Sequence, residues 1–365
     1  MKKTAVKSFV YVFLLSVLFG ACKKVEDPQK NSSILNSSTF AQGVFITNEG
    51  PFGSGTGTVS FYDRKLNTVR ADIFQEVNNR PLGNVVQSME IIGDKAYIVV
   101  NNANKIEVVN ASTFKSVGSI ANLEYPRYIL SDGKGKAYIS QWSSPGRIAV
   151  VQLDNLKILK TIVVADGPER MLLFGDKLYV VNTGGFGSEN KVSVINTLTD
   201  ELEQNITTGD SPNSLVLDAN HKIWILCGGK KVYAGAPSYE LDTAASTAGS
   251  LLMLDGTSGQ IEKSLSFSSK VLFPSNLCLN KEKNQLFFNG GDGVYAMKIS
   301  DAVLPQQSIV NKVFYSLAYD TVSTYLYGSD PLDYQGKGEV YRYNSYGMEM
   351  DHFQAGIIPG NFTFK

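Results

Sequence analysis

One short pattern recurs along this 365-residue chain, and it limits the fold more than any other feature. GVFITNEG from Gly43, KAYIVVNN from Lys95, KAYISQWS from Lys136 and KLYVVNTG from Lys177 share it, as do KIWILCGG from Lys222, QLFFNGGD from Gln285 and TYLYGSDP from Thr324. Each is a β-rich run that ends in Asn, Gly or another polar residue. A loop and a second strand follow each one: TVSFYD, KIEVVN, RIAVVQ, KVSVIN, SLLMLD, GVYAMK and EVYRYN. A turn and a third strand come next, such as KSVGSIAN or KILKTIVV. The following unit then opens with a short apolar strand, usually behind a proline: YPRYILSD at Tyr125, GPERMLLF at Gly167, SPNSLVLD at Ser211, FPSNLCLN at Phe273. QSMEII at Gln87 and YSLAYD at Tyr315 fit without the proline. A period of about 40 residues is that of a four-stranded propeller blade.

The strand count also argues for a closed ring. The first unit, from Gly43, has no strand to serve as its innermost one, and the C-terminus carries an orphan, PGNFTFK from Pro359. Pairing the orphan into the first unit removes two exposed sheet edges at once. The expected fold is therefore all-β, a seven-bladed β-propeller over residues 43–365. Abundant aromatics, 18 Tyr and 19 Phe, suit strands. Cys227 and Cys278 fall inside apparent strands and read as buried thiols.

The start of the chain is of another kind. Lys2, Lys3 and Lys7 precede a short apolar run, Phe9 to Phe19, and then Gly20, Ala21 and Cys22. This reads as a signal peptide over residues 1–21, too short to span a bilayer. The small residues before Cys22 resemble a bacterial lipobox, which makes Cys22 the lipidation site. Residues 22–42 are polar, rich in Ser and Asn, and read as a flexible tether with a reach of roughly 25 Å. Basic and acidic residues balance at 34 each, so no basic patch points to nucleic acid.

In a propeller, the loops between second and third strands share a face with the links between blades. On the other face the expected turns are tight and plain: IGDKA, DGKGKA, FGDKL. The first face carries long, aromatic-bearing loops: NEGPFGSGTG from Asn48, QWSSPGR from Gln141, NTGGFGSEN from Asn182, GSDPLDYQGKG from Gly328, and CGGKKVYAGAPSYELDTAASTAG from Cys227. The inter-blade links add Tyr125, Arg127, Glu169, Arg170, Asn276 and Tyr315. Function concentrates on loops held by a rigid scaffold. The candidate ligand-binding residues are Asn48, Phe52, Tyr125, Arg127, Trp142, Arg170, Asn182, Phe186, Tyr233, Tyr239 and Tyr334.

NTGGFGSEN resembles a phosphate cradle. However, such a cradle needs a following helix to align its N–H groups, and here a strand, KVSVIN, follows. NEGPFGS from Asn48 repeats the pattern. The two loops fall in blades one and four, so Phe52 and Phe186 are expected to flank a ligand over the central channel.

The lipobox, the tether, and blades reading NEGxFG…TVSFYD and LYVVNTGGFGS…KVSVIN resemble the YncE-like, or surface-layer-type, β-propeller lipoproteins of Bacteroidetes. That resemblance covers nearly the whole mature chain. One branch binds cobalamin at the cell surface and passes it to a TonB-dependent transporter. The resemblance therefore implies an outer-membrane lipoprotein, displayed on the cell surface or else on the periplasmic face, that captures cobalamin or a related corrinoid. A protein or glycan interaction platform is the alternative. A second alternative is a hydrolase or lyase working through carboxylates, for which Glu49, Glu169, Asp292 and Asp330 are the candidates. Only two histidines exist, His221 and His352. Neither is placed for a triad or a metal site, so no metal, no resident cofactor and no catalysis are expected.

Overall fold

Residues 40–365 are described by a computed structural model; the leader, Cys22 and most of the tether lie outside the described residues. Seven antiparallel sheets form the seven blades of a β-propeller. The innermost strands are, from blade 1 to blade 7, Pro359–Phe364, Val86–Ile92, Pro126–Ser131, Pro168–Phe174, Pro212–Leu217, Ser275–Leu279 and Ser316–Asp320. Each packs beside its two neighbours around the axis.

The second strand of each blade is apolar on both faces because both faces are covered. In blade 4, Leu178 and Val180 turn toward blade 3, while Tyr179 and Val181 turn toward blade 5. The period-2 alternation of a strand thus divides one apolar run between two interfaces. Seven such clusters fill the seven gaps between blades. The outermost strands have no second partner, and Lys157–Val163 and Glu201–Thr207 are mostly exposed.

The C-terminal strand closes the ring in blade 1. It pairs antiparallel with Gly43–Asn48, from Val44 opposite Phe364 to Asn48 opposite Pro359. Gly43 and Lys365 exchange both backbone hydrogen bonds, at 3.1 and 3.0 Å. Arg64 fastens the seam by donating to the Lys365 carbonyl at 2.6 Å and pairing with the blade 7 residue Asp320 at 2.9 Å.

The repeat did not anticipate three features. Blade 6 has three strands instead of four. The stretch that should form the fourth, DAVLPQQSIV, carries Pro305, which cannot donate to a ladder. Only Val310 bridges back to Val294. A short helix, Ile73–Asn78, stands between blades 1 and 2; Asp72 caps it by accepting from the Gln75 N–H at 3.1 Å. Its Ile73 and Phe74 are buried. Finally, Phe40, expected in the tether, is fully buried among Phe45, Phe61 and Phe114. The packed domain therefore extends to residue 40, because an aromatic ring with three aromatic neighbours is worth more buried than solvated.

Candidate functional site

The innermost strands do not run regularly into the face bearing the long loops. In six of the seven, the ladder slips at the start of the strand. The residues skipped are Gly360 in blade 1, Gln87 in blade 2, Arg127 and Tyr128 in blade 3, Glu169 and Arg170 in blade 4, Asn213 in blade 5, and Asn276 with Leu277 in blade 6. A bulge releases side chains from the sheet's alternation and re-aims them. All of these residues except Leu277 line one cavity of about 460 Å3 at the mouth of the axis.

The turn before the bulge is equally regular. Tyr125, Gly167, Ser211 and Ile358, each directly before a blade-opening proline, take left-handed φ values of 45°, 65°, 52° and 54°. Only at Gly167 is glycine demanded by space as well, since a Cβ there would collide with the backbone nitrogen of Gly185. The glycines of NTGGFGSEN answer to the loop's own turn: Gly184 and Gly185 take φ values of 93° and 60°, and a Cβ on Gly184 would meet the backbone of Ser188 and Glu189. Two of its amides bind the neighbouring link: Thr183 N–H donates to the Gly167 carbonyl at 2.8 Å, and Gly184 N–H to the Asp166 carbonyl at 3.0 Å. The loop is a strand connection locked onto the neighbouring link.

On one side of the mouth the charges are paired. The Arg127 guanidinium meets Glu169 at 2.8 Å, donates to the Gln87 side-chain oxygen, and stacks 4.1 Å from the Trp142 ring centroid. The Glu49 carboxylate accepts from the Tyr315 hydroxyl at 2.9 Å. Burial raises the Glu49 pKa, and the Tyr315 hydrogen bond and the Arg127 charge only partly offset that rise. The same cavity is lined by Arg170, 5.0 Å from the Tyr128 centroid, and by Lys231, 6.0 Å from that of Phe273. Burial lowers the Lys231 pKa. Three cations thus face two carboxylates.

Of the residues expected to bind a ligand, Arg127, Trp142 and Arg170 line the cavity. Phe52 and Phe186 do not: they are 84% and 93% exposed, and Phe186 rests edge-on against Trp142 at 5.6 Å. Tyr334 packs edge-on against Tyr315 at 6.1 Å. Tyr125, Tyr233 and Tyr239 are exposed outside the cavity wall.

Asn48 and Asn182 depart from expectation most clearly, being wholly buried inside blades 1 and 4. The Asn48 amide donates to Ser60 at 3.0 Å and accepts from the Gly356 N–H at 2.9 Å. The Asn182 amide donates to the Val180 and Lys191 carbonyls and to Ser193. Both amides hold strands together.

Among the candidate carboxylates, Glu49 and Glu169 meet in the cavity. Asp330 instead pairs with Lys312 at 2.8 Å, and Asp292 accepts from Tyr295 at 3.0 Å. Gln87, Tyr128, Asn213 and Lys231 were not singled out as site residues from the sequence. Their common mark, except for Lys231, is a place within two residues of the start of an innermost strand. Cys227 and Cys278 are both free, and burial pushes each thiol up to about 12.

Solved structures share this architecture. The chain is similar to a quinonprotein alcohol dehydrogenase-like protein of Bacteroides thetaiotaomicron at 13% identity, with 90% of this chain and 79% of that one covered and a TM-score of 0.65. It is also similar to hydrazine synthase of Kuenenia stuttgartiensis at 18% identity, over 70% and 75% of the two chains, with a TM-score of 0.50. At such identities the likeness shows the fold alone. No curated protein matches the sequence. A family described as "Domain of unknown function (DUF5074)" matches residues 42–335. That match takes in most of the seven blades and stops before Glu349–Ile357 and the closing strand Pro359–Phe364, and the chain is thus a member of the DUF5074 family.

Proposed function

We propose that this protein is a non-catalytic capture protein that holds a small ligand in the axial mouth of the propeller. The observation that supports this most is the convergence of bulged residues from six blades on one cavity. A rigid ring supplies the walls, so little conformational freedom is lost when a ligand enters. Each carboxylate in the mouth already has a partner, Glu49 with Tyr315 and Glu169 with Arg127, an arrangement that suits holding better than proton transfer.

On this reading, Cys22 carries the lipid and keeps the domain at the outer membrane. The ligand is passed on to a TonB-dependent transporter, and cobalamin or a related corrinoid is the leading candidate. The exposed rings of Phe52, Phe186, Tyr233, Tyr239 and Tyr334 stand outside the cavity, where they would meet the parts of a ligand too large for the mouth. The same rings favour a second reading, a platform for a protein or glycan partner on this face.

Calorimetric titration of the soluble domain with cobalamin separates the two readings. Saturable heat with an accompanying change in the corrin spectrum is expected, and replacing Trp142 with Ala should weaken binding about tenfold, the loss of roughly 1.4 kcal/mol of ring contact. No heat and no spectral change at micromolar protein would remove the corrinoid.

A further inference from the structure

The cations of the mouth differ in how their charges are compensated. Arg127 directs its donors to Glu169 and Gln87. Arg170, half-buried on blade 4, makes no salt bridge and no hydrogen bond among the described residues, and its guanidinium lies 5.0 Å from the Tyr128 ring centroid. Lys231, from the long loop of blade 5, has no carboxylate partner among the described residues; its one hydrogen bond there goes to the Thr247 carbonyl, at 3.5 Å. Removing cationic groups from water without a counter-charge is costly. Two such groups in one cavity lower the cost of admitting an anion.

The guanidinium fork of Arg170 presents parallel donors that match an oxyanion bidentately. Ser188, Ser211 and Ser275 line the same cavity, the hydroxyls of the first two 3.4 Å apart. Two cations from different blades plus hydroxyl donors suit a group with more oxygens and more charge than a carboxylate. Resting on the capture reading, we propose that the mouth holds a phosphate subsite, with Arg170 as the bidentate contact and Lys231 as the second cation. Both a phosphodiester within a larger ligand and free inorganic phosphate carry the required chemistry.

The test uses Trp142 fluorescence, since Trp142 lines the cavity and the other tryptophan, Trp224, is buried between blades 5 and 6. Inorganic phosphate is titrated into the protein at constant ionic strength, with chloride as the control. A saturable change specific to phosphate is expected. Arg170→Gln should weaken it about tenfold and Lys231→Gln about threefold, while Arg170→Lys recovers part of the loss. No saturable response in the wild type overturns the subsite, as does an unchanged response in natively folded Arg170→Gln. Should that variant fail to fold, Lys231→Gln and Arg170→Lys, judged against unchanged melting curves, decide by the same criterion. Cobalamin is titrated in parallel, with and without phosphate. A cobalamin failure beside an Arg170-dependent phosphate response removes the corrinoid and leaves the subsite standing. Competition between the two ligands supports both.

Discussion

Asn48 and Asn182 show how one residue type can suggest one role and fill another. Both close a strand beside a glycine-rich loop, where an exposed amide would serve a ligand. Instead, each amide turns inward and satisfies strand carbonyls and a serine hydroxyl. Asn48→Ala leaves the Gly356 N–H without its acceptor, and a loss of roughly 2 kcal/mol is expected in chemical denaturation. Ligand affinity should be unchanged, so a large affinity loss at full stability would return Asn48 to the site. Glu90 lies farther down the channel, in a second cavity that shares Arg170 and Tyr128 with the mouth. Burial pushes its carboxyl up from 4.5 to about 7. Between those pH values the folded chain holds a proton that the unfolded chain has released, so stability falls as pH rises through this window. Glu90→Gln should therefore stabilise the protein at pH 8 by roughly 1–3 kcal/mol and not at pH 4. Thermal melts of both proteins at the two values check this; an equal gain at both would exclude titration as its cause.

At the scale of elements, the blade repeat was legible because each second strand is an uninterrupted apolar run bounded by turn residues. The missing fourth strand of blade 6 was not, because a repeat count presumes that every unit is complete; Pro305 was the visible warning. The short helix Ile73–Asn78 escaped because six residues carry too little periodicity to register. Within the site, Arg127 and Arg170 were found because they follow a proline that marks a blade's start. What the sequence could not show was the bulge, since ladder slippage leaves the residue pattern intact while turning Gln87, Tyr128 and Asn213 toward the axis. The closing strand yields its own prediction. Phe362 packs between blades 7 and 1 against Tyr327 at 5.8 Å. Phe362→Ala should cost about 3–4 kcal/mol in denaturant unfolding, whereas a cost below about 1 kcal/mol would mean that the seam contributes little to cooperativity.

For the molecule as a whole, closure places the first and last described strands in the same sheet, so blade 1 is assembled from both ends of the chain. Phe40 lies ahead of that sheet, wedged between blades 1 and 2, with its N–H donating to the Ser112 carbonyl at 3.2 Å. This position has a mechanical meaning. If the domain is held through Cys22 as proposed, tension arriving along the backbone would meet the Phe40 ring before it meets the seam. Under that proposal the buried ring and its hydrogen bond to blade 2 would take up such a load, so the joint that holds the circle together would not be the first to feel the tug.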